Sequence, residues 1–130
     1  MKKIFTLLST LALAASFCSS VSAADRTSMS SGLTSTESSY SETKECVLAN
    51  STDTYSATFK KGMEVTVLVS GDGDTDLDLY IYDENNNLID SDTDTSDTML
   101  CSWTPKWTGK FTIKIKNLGS VRNYYTMWIE

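Results

Sequence analysis

Apolar and polar residues alternate in short runs from Lys44 to the end of the chain. The clearest run, DLDLYIYD, places Leu77, Leu79 and Ile81 on one side of an extended strand. Five further runs repeat this period of two and complete the predicted core: Tyr55, Ala57 and Phe59; Val65, Val67 and Val69; Met99, Cys101 and Trp103; Phe111, Ile113 and Ile115; Tyr125, Met127 and Ile129. Turn-forming segments such as KKG, SGDGD and ENNN separate the runs. With no helical apolar period, the pattern predicts one antiparallel β-sandwich or jelly-roll domain over residues 44–130.

The first 43 residues lack this pattern. In residues 1–23 two lysines precede an apolar stretch that ends at Val21-Ser22-Ala23. This is the pattern of a bacterial secretory signal peptide, with cleavage expected after Ala23. The stretch is too short and too rich in serine to span a bilayer as a helix. Residues 24–43 are mostly Ser and Thr, which predicts a disordered leader. We therefore expect a secreted or periplasmic protein without a membrane span.

Cysteine usage adds a covalent prediction. Cys18 leaves with the signal peptide, so Cys46 and Cys101 remain in the exported chain. In an oxidising compartment such a pair indicates a disulfide, and the alternative is two buried thiols that never meet.

Charge and composition exclude several functions. The net charge is −6, which disfavours nucleic acid and anionic membrane surfaces as partners. The chain contains no histidine, so Ser-His and Cys-His nucleophile systems and histidine metal sites are excluded. We expect no enzymatic activity.

Four segments resemble a known family when they are taken in order. FKKGMEVTVLVSG, DTDLDLYIYDENNNLIDSD, WTPKWTGKFTIKI and YYTMWI are similar to the successive strands and turns of the bacterial pre-peptidase C-terminal domain. That resemblance implies a small β-sandwich of the kind appended to secreted proteases, without catalysis of its own. It also implies a possible relation to collagen-binding sandwiches, which hold insoluble substrates and bind calcium. No catalytic domain accompanies the module in this sequence, so we expect a freestanding exported module.

Acidic residues flank the central strand and suggest a calcium site. Residues 72–83 approach the spacing of an EF-hand loop, but Leu77 stands where that loop needs glycine, and a strand follows. A different loop site is open, because antiparallel strands would bring two acidic loops to one end of the sandwich. Its candidate ligands are Asp72, Asp74, Asp90, Asp92, Asp94 and Asp97. The alternative is a solvated acidic surface.

Aromatic side chains form a second candidate site. Five are expected on outward positions or in a turn, where they could make a platform for sugar rings or polymer chains: Tyr80, Tyr82, Trp107, Tyr124 and Trp128. The alternative is that some of them cover a second apolar surface. The strand carrying Lys110, Lys114 and Lys116 is expected to pair its charges with Asp76 and Asp78, or else to present a dipolar surface to a charged partner.

These observations predict a secreted, noncatalytic binding or accessory module. Its partner is expected to be an extracellular polymer, either polysaccharide or protein, or a protein partner. The alternative is a calcium-stabilised structural or cell-surface interaction protein.

Overall fold

A computed structural model describes residues 41–130, together with the backbone of three two-residue strand segments, Ala12–Leu13, Arg26–Thr27 and Met29–Ser30. The predicted signal peptide and the predicted leader lie almost entirely outside the described residues. Both stay predictions.

Residues 41–130 form eight β-strands joined by turns. In chain order they are β1 Ser41–Val47, β2 Thr52–Phe59, β3 Val65–Gly71, β4 Leu77–Tyr82, β5 Leu88–Asp92, β6 Thr98–Trp103, β7 Gly109–Asn117 and β8 Asn123–Ile129. The all-β prediction is confirmed.

The strands build two sheets that pack face to face. The five-stranded sheet has the order Arg26–Thr27, β2, β7, β4 and β5, and the four-stranded sheet has the order β1, β8, β3 and β6. All pairings among β1 to β8 are antiparallel. The result is a β-sandwich with one apolar layer between its sheets.

Every side chain that the period of two assigned to the core is buried there. Leu77, Leu79 and Ile81 of β4 are fully buried and register with β7 residues of the same inward face, as the pairs Ile81–Ile113 and Leu79–Ile115 show. Phe59 and Trp103 meet edge to face, with ring centroids 5.3 Å apart. The alternation therefore identified the inward face of each of these strands.

Two strand boundaries differ from the sequence prediction. β1 begins at Ser41, three residues before the predicted domain start at Lys44, because Ser41–Val47 pairs along the whole of β8. β5 continues to Asp92, so Asp90 and Asp92 lie in a strand rather than in the following loop. Neither segment has the apolar alternation that marks the other strands.

The predicted asparagine turn between β4 and β5 is present. Asn86 adopts a positive φ of 62°, a backbone conformation that asparagine tolerates better than most residues. Asp83 accepts the backbone N–H groups of Asn85 at 2.8 Å and of Asn87 at 2.9 Å. The hydrogen bond from the Asn87 side chain, followed by these backbone bonds, lowers the pKa of Asp83.

The predicted disulfide between Cys46 and Cys101 is wrong. Cys101 is a buried free thiol. The two cysteines lie on β1 and β6, the opposite edges of the four-stranded sheet, which are ~14 Å apart at the usual strand spacing. Cys46 registers with exposed Tyr124 on the outer side, whereas Cys101 registers with Val67 on the inner side. A disulfide needs Cα atoms within about 7 Å, so this pair cannot form one.

A pair of hydrogen-bonded tyrosines lies inside the mainly apolar layer. The hydroxyls of Tyr55 on β2 and Tyr125 on β8 are hydrogen-bonded, and Tyr125 also donates to Asp53 Oδ2 at 2.8 Å. Both tyrosines are buried, and burial raises the pKa of Tyr125 well above its ordinary value. This network joins the two sheets through hydrogen bonds as well as by apolar contact.

We expect Cys101 to resist alkylation in the folded protein and to react after denaturation. Burial, followed by the nearby carboxylates of Asp90 and Asp92, raises the pKa of this thiol to about 12, and the thiolate is the reactive form. Mass spectrometry after iodoacetamide treatment at pH 8 checks this, with Cys101→Ala identifying the modified site. Rapid labelling at Cys101 in the native protein would contradict the buried position of this thiol.

We expect Tyr125→Phe to destabilise the protein by about 1–2 kcal/mol, because it removes a buried hydroxyl that donates to Asp53. Thermal unfolding should show a midpoint lower by roughly 4–15 °C. Tyr124→Phe is the matched control, since that neighbouring side chain is 52% exposed. Equal midpoints for the two variants would show that the internal network contributes nothing.

Candidate binding face

The outer side of the five-stranded sheet presents two tyrosines on one strand. Tyr80 and Tyr82 are two residues apart on β4, so both point away from the core. Their rings lie 6.4 Å apart between centroids at an interplanar angle of 25°. Both side chains are half-buried, which leaves part of each ring open to solvent.

Asp78 fixes one of these rings. The Tyr80 hydroxyl donates to Asp78 Oδ2 at 2.8 Å, and Asp78 is itself buried. This hydrogen bond, then desolvation and the negative charge of Asp78, raises the pKa of Tyr80 to about 12. The tyrosine therefore stays neutral at physiological pH, and its ring is held in one orientation.

Lysines lie beside the tyrosines on the neighbouring strand. Lys114 of β7 registers with Tyr80, and Lys116 registers with Asp78. Lys114 Nζ lies 5.3 Å from the centre of the Tyr82 ring, in cation–π contact. We call Tyr80, Tyr82, Lys110, Lys114 and Lys116 the tyrosine–lysine face.

Hydroxyl groups extend this face across β2. The strand contributes Ser56 opposite Thr112 and Thr58 opposite Lys110, and its other outward residues are Thr52 and Thr54. The outward side chains of β4, β7 and β2, three adjacent strands, thus carry aromatic rings, ammonium groups and hydroxyls.

The expected ion pairs between β7 and β4 do not form. Lys116 and Asp78 are neighbours in the register, as predicted, but the carboxylate of Asp78 accepts the Tyr80 hydroxyl. Within residues 41–130 one ion pair is present, between Lys44 and Glu42 at 3.1 Å on the other sheet. The lysines of the tyrosine–lysine face keep their charges available to solvent.

The other predicted platform aromatics are not part of this face. Tyr124 and Trp128 point outward from β8, on the outer side of the four-stranded sheet. Trp107 lies in the turn before β7 and stacks on the core residue Phe111, with ring centroids 6.0 Å apart. The structure therefore divides the five aromatics among three places.

Asp90 and Asp92 bind the backbone of the adjacent sheet. Asp92 Oδ2 accepts the N–H of Leu100 at 2.9 Å, and Asp90 Oδ2 accepts the N–H of Ser102 at 3.0 Å. β6 is an edge strand, so these two N–H groups have no partner strand. Asp90 and Asp92 are two residues apart, as are the two N–H groups, so each carboxylate accepts one unpaired donor. The two bonds cover the free edge of β6.

The remaining acids lie in two neighbouring loops. Asp72 Oδ2 accepts the N–H of Tyr124 at 2.9 Å, and Asp97 accepts the N–H of Gly73 through Oδ2. Asp94 accepts the N–H of Ser96 at 2.8 Å, and Asp74 is exposed. The Asp97 carbonyl also accepts the N–H of Gly71 at 2.7 Å, so the two loops meet at one end as predicted.

The calcium hypothesis is not tested by these positions. In the described part of the chain, no three acidic or cysteine side chains are grouped so that they could hold a metal ion. The six candidate ligands are instead distributed between one edge and one end of the sandwich. Calcium binding stays a prediction.

No helix long and apolar enough to cross a membrane occurs in the residues that the structure describes.

Comparison with solved structures identifies similar folds. The pre-peptidase C-terminal domain of a collagenase from Bacillus anthracis superposes with a TM-score of 0.61 at 11% identity, covering 69% of this chain and 88% of that one. The chain has the fold of the pre-peptidase C-terminal domain.

A second similar structure belongs to a protein with a different activity. Aeromonas hydrophila PliG, a periplasmic inhibitor of g-type lysozyme, gives a TM-score of 0.52 at 14% identity, with 70% of this chain and 84% of that chain covered. The sequence matches no protein-family model and no curated protein. At these identities the similarity shows a shared fold, and neither protein's ligand can be assigned to this chain.

We expect Asp92→Ala to lower the free energy of unfolding by about 1–2 kcal/mol, because the Leu100 N–H loses its charged acceptor. Asp94→Ala is the matched control, since Asp94 is exposed and bonds only within its own turn. Thermal unfolding of both variants checks the difference. Equal stability would mean that the β6 edge needs no cap.

Proposed function

We propose that the protein is a secreted, noncatalytic module that binds an extracellular polysaccharide on the tyrosine–lysine face. The observation that carries the proposal is the pair of partly exposed rings of Tyr80 and Tyr82, inclined by only 25° to each other, with Lys114 beside them. Tyrosine faces stack on the apolar faces of sugar rings, and the ammonium and hydroxyl groups around them can bind sugar hydroxyls.

The geometry of the face suits an extended chain. Its outward residues lie on three neighbouring antiparallel strands, which gives a surface without a deep cleft. Tyr80 is held by Asp78 and Tyr82 by Lys114, so little conformational entropy is lost when a ligand orders the rings. A flat, preorganised surface of this kind favours a polymer over a small molecule that needs enclosure.

Other features support a binding role in an exported protein. Residues 1–23 have the pattern of a secretory signal, and the chain lacks histidine. The similar structures are a domain appended to a collagenase and a lysozyme inhibitor. One is an accessory part of an enzyme and the other acts by binding a protein, so both agree with a noncatalytic module.

We expect Tyr82→Ala to weaken polysaccharide binding by roughly thirtyfold, because it removes one stacking ring and releases Lys114. Affinity electrophoresis through native gels that contain amylose, xylan or polygalacturonate measures the binding. Tyr124→Ala removes an exposed tyrosine from the other sheet and should leave migration unchanged.

The same gels show what would contradict the proposal. Wild-type protein that is retarded by gelatin, and by none of the polysaccharides, would indicate a protein ligand instead. Equal loss in the two tyrosine variants would move the binding surface away from the tyrosine–lysine face. Thermal unfolding of each variant confirms that a lost interaction reflects the face and not the fold.

A further inference from the structure

The tyrosine–lysine face concentrates positive charge in a chain that is otherwise negative. Lys110, Lys114 and Lys116 all occupy outward positions of β7, and Lys110 and Lys116 are exposed. Lys114 and Lys116 are two residues apart, so their Cα atoms are separated by ~7 Å along the strand. Three ammonium groups therefore follow one line across the face.

These charges are not neutralised by ion pairs, although Lys114 is in cation–π contact with Tyr82. None of the three lysines forms an ion pair with a described acidic residue. Asp78 is the acid nearest in the register, but it is buried and accepts the Tyr80 hydroxyl.

Further lysines lie beside the start of β7, at one end of the sandwich. The turn that holds Lys60 and Lys61 is bonded to the turn that holds Lys106, through Gly62 N–H to the Pro105 carbonyl at 2.9 Å. Six of the eight basic residues in 41–130 thus lie on β7 or beside it. The exposed acids at this end are Glu42, Glu64, Glu84 and Glu130, of which Glu42 is paired with Lys44.

The carboxylates of the long acidic run lie at the other end. Asp72, Asp74, Asp94 and Asp97 belong to the loops that follow β3 and β5, at the opposite end of those strands. The molecule therefore has a distinct charge axis, with lysines and tyrosines together on one surface. Because an acidic chain repels a polyanion in general, a polyanion is expected to bind where the lysines are concentrated.

Resting on the proposed function, we infer that the polysaccharide is anionic and carries carboxylate or sulfate groups. Its sugar rings would stack on Tyr80 and Tyr82, while its charged groups would lie over Lys114 and Lys116 on the neighbouring strand. Ser56 and Thr58 of β2 would bind the remaining hydroxyls. Charge complementarity, rather than ring stacking alone, would select the ligand.

The test compares polygalacturonate with amylose as probes, using isothermal titration calorimetry on the full exported chain. We expect tighter binding of polygalacturonate, and a marked loss of affinity between 0.05 and 0.5 M NaCl as screening shortens the range of the lysine charges. Lys114→Gln and Lys116→Gln should each weaken polygalacturonate binding by about fivefold. Lys44→Gln removes the same charge from the other sheet, at a side chain 76% exposed, and should change nothing.

Each other outcome has one meaning. Equal binding of both probes, lost in Tyr82→Ala but not in Lys114→Gln, would overturn the anionic ligand and leave the proposed function standing. Equal weakening by Lys44→Gln and Lys114→Gln would overturn the assignment to this face. Binding of neither probe by the folded wild-type protein would overturn the anionic inference, and retardation by xylan would then decide whether a polysaccharide function survives.

Discussion

The apolar layer between the two sheets determines how every other residue of the domain is placed. Its members come from each of β1 to β8 except β5, and they meet because one side of each strand is apolar. A strand that buries one side exposes the other, and a slip of one residue would exchange the two sides. The inward packing therefore also fixes the outward positions of Tyr80, Tyr82 and Lys114, although none of these belongs to the core.

Many acidic side chains contribute to the fold by accepting backbone N–H groups. Asp90 and Asp92 cap the β6 edge, Asp83 holds the turn after β4, and Asp72 and Asp97 connect the loops at one end. Carboxylates are strong acceptors, and a strand edge or tight turn leaves donors without partners. High acidic content is thus explained in part by backbone geometry, and charge repulsion is limited because the acids are distributed over several places.

The sequence predicted well what depends on period and local turn chemistry. The inward faces of six strands, the turn at Asn86 and the meeting of the two acidic loops all follow from residues close to one another in the chain. It failed where sheet order decides the outcome. Two cysteines in an exported chain suggest a disulfide, but the strands of Cys46 and Cys101 form opposite edges of one sheet. Only the strand order β1-β8-β3-β6 shows this. Likewise, Trp107 gives no local signal that it will stack on Phe111.

The location of the proposed binding face follows from which charged groups lack an ion-pair partner among the described residues. The carboxylates of Asp72, Asp78, Asp90, Asp92 and Asp97 are already bonded to backbone or tyrosine donors. The lysines of β7 are without ion-pair partners among the described residues, yet all three lie on one side of one strand. A solvated sheet surface needs polar residues, but it does not need three cations beside two adjacent tyrosine rings. Packing between the sheets accounts for the inward residues but not for this outward arrangement, which is why the proposed ligand is assigned to the tyrosine–lysine face.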